Sequence, residues 1–172
     1  GQLRLIYSSR NIVFRHIGLF SRLYQQVEAM PVTGRVVADM TPLSQLLLRN
    51  NPLLASGDHL RYPARPDHVR VMGAVSADCQ LAYDPALRVR DYLRQCPAAD
   101  AADASWVWLI QPDGQVQQLG VAPWNLQPAN VAVGAVIMRG IHPRHLTEAP
   151  DLNAELAAFL ATQYRLGGLF DE

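Results

Sequence analysis

The sequence has only two cysteines, Cys79 and Cys96, among its 172 residues. They are too few for a Cys-only zinc site and do not form a C-x-x-C redox motif. Their pairing stays open, because two separated cysteines can equally be small buried apolar groups. Net charge is missing too: 15 basic side chains balance 15 acidic ones, which removes the long-range attraction used by nucleic-acid binders and polybasic membrane binders. No apolar run approaches the roughly 20 residues of a membrane-spanning helix. The opening residues Gly1-Gln2-Leu3-Arg4 lack a signal-peptide pattern, although a cleaved signal peptide would leave no trace. No G-x-S-x-G elbow, P-loop or Rossmann glycine pattern occurs, so the commonest serine-hydrolase elbow and the main phosphate cradles are excluded. Paired carboxylates for glycoside cleavage could still converge in space, since the fold sets their spacing.

What is present is apolar. Hydrophobic residues make up 49% of the chain and charged ones 17%, enough for a substantial core and against wholesale disorder. Leu3 to Tyr7 alternates like a strand, and Ile12-Val-Phe14 is its candidate hairpin partner. Leu19, Leu23 and Val27 follow at helical spacing. Arg35 to Ala38 reads as a strand, and Thr41-Pro42 opens a helix carrying Leu43, Leu46, Leu47 and Asn50. The proline-rich stretch Tyr62 to Pro66 is an extended connector and the expected module boundary.

Beyond it, Val69, Val71, Gly73 and Val75 share one face of a strand, and Gln80 to Tyr83 is its partner. Asp84-Pro85 is expected to start a helix whose apolar stripe is Val89, Tyr92, Leu93 and Cys96. Trp106 to Ile110 is apolar on both faces and predicts a central strand buried on both sides. Pro112-Asp113-Gly114 is a tight turn leading back along Gln115 to Leu119. Val131 to Met138 predicts the last strand. Asp151 is placed to cap a closing helix from Leu152 to Arg165.

In this order, Val69 to Val75, Trp106 to Val116, Ala122-Pro-Trp-Asn125, Gly134-Ala-Val-Ile137 and Leu152-Asn153 resemble the GfcC family of capsule-biosynthesis proteins. The core of that family is similar to the soluble-ligand-binding β-grasp (SLBB) domains of outer-membrane polysaccharide exporters. The resemblance implies an α+β chain of two β-grasp modules and a C-terminal amphipathic helix. The expected division is residues 1–66, 67–145 and 146–172. It further implies a periplasmic, non-enzymatic role beside polysaccharide export machinery. The stretch Arg139 to Pro143 departs from the expected apolar continuation.

Candidate site residues follow from residue chemistry. Trp124 follows Pro123 in a loop and, with Asn125, is the candidate to face a sugar. Trp106 and Trp108 point the same way on a buried strand and are assigned to the core. Arg88 and Arg90, on a helix with Asp91 and Arg94, are the candidate contacts for an acidic polysaccharide, against the plainer reading of a solvated face. His142 and His145 sit three apart, but Pro143 argues against a helical metal pair, so no metal, cofactor or catalytic residue is assigned. Leu156, Phe159, Leu160 and Tyr164 form a stripe that either docks on its own chain or serves a partner or second subunit. A polysaccharide hydrolase or lyase and a secretion-system adaptor are the competing functions.

Overall fold

The computed structural model describes residues 10–30, 43, 46, 55–57 and 66–163, with side chains from His16 onward. Among the described residues, helices α1 (Arg10–Ala29), α2 (Val89–Gln95) and α3 (Leu152–Ala161) accompany five strands. The strands are β1 (His68–Gly73), β2 (Cys79–Ala82), β3 (Ala102–Ile110), β4 (Val116–Gly120) and β5 (Val136–Ile141). They form one mixed sheet in the order β2-β1-β5-β3-β4. β1 and β5 run parallel in the middle, and the other neighbours are antiparallel. Two hairpins, a helix between them and a last strand inserted beside the first make a mixed α+β arrangement around one five-stranded sheet.

Period-two alternation decides what each sheet face carries. Val69, Val71, Val107, Leu109, Leu119 and Ile137 face α2, where they bury Val89, Tyr92, Leu93 and Cys96. The predicted stripe of α2 is therefore the one used. The helix starts later than Asp84-Pro85, however. The Asp84 carboxylate accepts from the Ala86 N–H at 2.8 Å, and the Leu87 N–H reaches the Asp84 carbonyl. Asp84 thus closes a turn by local hydrogen bonding instead of capping a helix. The buried Tyr92 hydroxyl bonds both the N–H and the carbonyl of Asp84, which satisfies the polar tip of a core aromatic.

Cys79 and Cys96 are joined in a disulfide with Cα atoms 6.0 Å apart. It ties β2 to the C-terminal end of α2. The β3–β4 hairpin turns as predicted: Gly114 takes φ +90°, and the Asp113 carboxylate accepts from the Gln115 N–H.

The opposite face is covered by α1 and α3. Leu19, Phe20 and Leu23 pack with Ile141, Leu146 and Leu152, and Met30 packs with Met72, Met138, Leu156 and Leu160. The Arg22 guanidinium donates to the carbonyls of Gly73, Val75 and Ser76 at the end of β1. Nearby, Gln26 donates to Asp78 at 2.9 Å, and burial raises the Asp78 pKa above the ordinary carboxylate value despite that bond and two neighbouring arginines. Helix α1 is thus a layer of the same domain. Its backbone includes residues 12–14, so the expected strand Ile12 to Phe14 is helical instead. A three-residue strand offers little pairing, and these residues form a separate helical stretch ahead of the segment docked by Leu19 and Leu23. The helix breaks at His16, whose φ/ψ is −129°/20°. The expected strands 3–7 and 35–38, and most of the helix after Thr41-Pro42, lie outside the described residues.

β5 begins at Val136 and not Val131, because the Ala135 N–H closes a turn onto Ala132. It runs on through Arg139-Gly-Ile141, the stretch that departed from an apolar pattern. Arg139 reaches to the α2 side and donates to the Leu93 carbonyl at 3.1 Å. A cation at a helix C-terminus meets the negative end of the dipole, and burial pulls its pKa below the usual guanidinium value.

Asn153 fastens α3 to β5. Its amide donates to the Ile141 carbonyl at 2.8 Å and accepts from the Ile141 N–H at 2.9 Å. Asn153→Ala leaves both backbone groups unpaired and is expected to cost about 1–3 kcal/mol, read by urea denaturation. The four-residue face Leu152, Leu156, Ala157 and Leu160 is buried against the protein's own sheet and α1. Leu156 and Leu160 therefore have no surface left for a partner, which corrects their assignment as partner contacts. Phe159 is half-buried against the same cluster, and Tyr164 lies outside the described residues.

Candidate functional site

The loop from Val121 to Ala129 separates two concave regions on opposite faces of the sheet. Its shape depends on Asn125. The Asn125 side chain accepts from the Ala122 N–H at 2.9 Å and donates to the Ser105 carbonyl at 3.0 Å. A Cβ at Gly120 would stand 2.0 Å from the Asn125 carbonyl oxygen, so only glycine admits this loop against β4. Asn125 is thus committed to holding the loop, which corrects its assignment as a ligand contact.

On the α2 side, a groove of ≈ 350 Å³ is lined by Arg88, Arg90 and Arg94 with Asp91, and by Val121, Leu126 and Ala129 on the loop. Three guanidinium groups against one carboxylate make it positive. Asp91 is partly engaged, accepting from the Arg88 backbone N–H at 2.9 Å and pairing with Arg94 at 3.2 Å. The Arg88 guanidinium is aimed by Asn130, whose side-chain oxygen lies 2.7 Å away. Arg88 and Arg90, paired on sequence grounds, both line this groove. Trp124 does not belong to it.

Trp124 is 73% exposed and meets Trp106 edge to face, with ring centroids 6.5 Å apart and planes at 83°. This brings it to the rim of the second region, a cleft of ≈ 280 Å³ over the other sheet face. Trp106 and Trp108 lie in that cleft together with Asp103, Gln118, Asp151 just before α3 and Asn153 in its first turn. Val107 and Leu109 are fully buried as predicted, whereas Trp106 and Trp108 are only partly buried. Trp108 packs against the cluster of Met30, Met138 and Leu160, as a core reading expects, but one side of it and of Trp106 is left open to the cleft. Asp151 stands at the N-cap of α3 yet makes no side-chain capping bond, contrary to the expected cap. Asp103 forms a turn, its Oδ1 accepting from the N–H groups of Ser105 and Trp106.

His142 and His145 lie on and beside a 3-10 turn at Pro143–His145. Their ring centroids are 6.5 Å apart, and His16 stands 4.6 Å from His145. Among the described residues, no group of three or more His, Cys, Asp or Glu converges as metal ligands. No helix among them is long and apolar enough to cross a membrane.

Residues 77–164, just over half of the chain, match the family described as capsule biosynthesis GfcC C-terminal. The chain belongs to this family. The match runs from β2 to the end of α3 and so takes in both concave regions. A further similarity is to a protein of Escherichia coli strain K12 named uncharacterized protein YjbG, 32% identical over 136 residues. The aligned region is 78% of this chain and 56% of that protein, so the chain spans just over half the length of its relative.

Asp151 and Gln118 were not legible as site residues in the sequence, because nothing local marks them. One signal for the groove was legible: all 15 basic Lys-plus-Arg positions are arginine, the side chain suited to bidentate carboxylate recognition.

Proposed function

We propose that the protein is a non-enzymatic periplasmic accessory of capsule or exopolysaccharide assembly and export, acting by binding the polymer. The observation that carries this reading is the arginine groove beside α2. Its guanidinium groups match uronate carboxylates, and its apolar loop wall matches the hydrocarbon face of a sugar ring. The Cys79–Cys96 disulfide supports a compartment outside the reducing cytoplasm. Direct contact with exporter components belongs to the same proposal, but the face of α3 is not free to make it.

Two tests address the reading. Deleting the gene and measuring total and surface polymer separately is expected to leave synthesis intact and lower surface polymer; equal loss of both would reject an export role. In vitro, Arg88→Gln/Arg90→Gln is expected to weaken binding of alginate oligomers at least tenfold with an unchanged Tm. Wild-type binding should fall as salt rises, since exposed charge pairs are screened. Calorimetry showing equal alginate affinity in variant and wild type would reject the groove.

A hydrolase or lyase reading has one observation in its favour: Asp103 and Asp151 line the same cleft as the tryptophans. Release of new reducing ends from polymer, abolished by Asp151→Asn, would establish it.

A further inference from the structure

We infer that the cleft floored by Trp106 and Trp108 is a second saccharide subsite, one that takes an uncharged sugar ring. The inference rests on the polysaccharide-binding reading and names the chemistry of a part of the surface distinct from the arginine groove.

The floor is built by the sheet. Trp106 and Trp108 are two residues apart on β3, so they share a face about 7 Å apart along the strand. Trp108 pairs across to Gln118 on β4, and Trp106 pairs with Gly120. The neighbour of Trp106 on that side therefore has no side chain. Gly140 lines the cleft from β5, where a Cβ would stand 3.1 Å from the Asn153 amide. Side-chain-free positions around Trp106 leave a trough with indole surface at its base. Trp124 closes one end by its edge-to-face contact with Trp106.

Such a floor suits a pyranose. The C–H bonds of a sugar ring stack on the electron-rich face of an aromatic, while its hydroxyls require hydrogen-bond partners at the edges. Asp151 stands at the edge with its carboxylate unused by the helix it precedes. Gln118 is exposed and carries both a donor and an acceptor. The charge of the wall sets the class of sugar. Among the described residues the cleft is lined by Asp103 and Asp151 and by no arginine, so a uronate would meet two carboxylates there. At ≈ 280 Å³ it lies near the small end of the roughly 300–1,000 Å³ range of ligand pockets, a scale suited to a short stretch of glycan.

Trp106 and Trp108 line this cleft, while Trp124 stands on the loop that also walls the arginine groove, so intrinsic fluorescence is read in the Arg88→Gln/Arg90→Gln background, where uronate binding at the groove is weakened. The test titrates the Arg88→Gln/Arg90→Gln protein with cellotetraose, maltotetraose, mannotetraose and galactotetraose, and separately with tetragalacturonate, and the further variants are made in the same background. A saturable fluorescence change is expected with at least one neutral tetrasaccharide and none with tetragalacturonate. Trp108→Ala should abolish binding of that neutral sugar in calorimetry. Because Trp108 is partly packed, Asp151→Ala and Gln118→Ala serve as surface variants, each expected to weaken binding at least tenfold at unchanged Tm. No response to any neutral tetrasaccharide at millimolar concentration would overturn the subsite, as would preference for tetragalacturonate or unchanged affinity in Asp151→Ala. Failure of the two readings is separable. Neutral-sugar binding without a surface-polymer defect on deletion leaves the subsite standing and rejects the export role; an export defect with no fluorescence response rejects only the subsite.

Discussion

Leu160→Asp is expected to lower stability by about 4 kcal/mol or more and to leave much of the protein unfolded or insoluble. Leu160 is fully buried, in a cluster with Met30, Met72, Met138 and Leu156. Truncating such a leucine alone costs about 2–5 kcal/mol. A carboxylate placed there adds the penalty of an unpaired buried charge, which the apolar neighbours cannot offset. The site joins α1, α3 and the central strands, so the loss should be felt cooperatively across the domain. Ala158→Asp is the control: Ala158 is exposed on the same helix, and its substitution should stay within about 0.5 kcal/mol. Urea denaturation of both variants checks the pair. If Leu160→Asp kept its midpoint while losing self-association, the stripe would be an interface and the intramolecular docking would be wrong.

Removing the disulfide is expected to cost about 3 kcal/mol. Cys79 and Cys96 are 17 positions apart, and closing a loop near that length restricts the unfolded chain by about that much. For a chain of this size the Tm should fall by roughly 6–12 °C. Cys79→Ala/Cys96→Ala is preferable to serine, because Cys96 is buried beside Val71 and a hydroxyl would need a partner there. Wild type in reducing agent should melt with the alanine variant. Equal melting of oxidised and reduced wild-type protein would show that the bond does not bear on stability. The consequence extends to the groove, since α2 carries Arg90 and Arg94 and is anchored at its far end by this bond.

Elements governed by neighbouring residues are legible in the amino-acid order alone. Pro112-Asp113-Gly114 makes its turn from residues that touch one another, and the stripe Val89, Tyr92, Leu93 and Cys96 needs only helical periodicity to find its face. The order of strands and helices after Val69 is readable for the same reason. Competing local solutions are not. Asp84 and Asp151 both look like helix caps, yet one closes a turn and the other makes no capping bond. The choice depends on where the packed helix begins, which tertiary contacts set.

The two concave regions mark the boundary between what sequence and tertiary structure each decide. Residue type and spacing by themselves determined that Arg88 and Arg90 lie together at α2, that Trp106 and Trp108 share a face, and that strands and helices are mixed through the second half. Whether that tryptophan face is core or surface was beyond them, because alternation assigns sides of a strand but not what covers each side. Only the docking of α1 and α3 decided it. Those helices bury Met72, Met138 and Leu160 and pack against part of Trp108, but leave the cleft that Trp106 and Trp108 line. The pairing of Cys79 with Cys96 was likewise left to tertiary structure, since a disulfide requires two Cα atoms about 6 Å apart, and that separation exists only once α2 lies across β1 and β2.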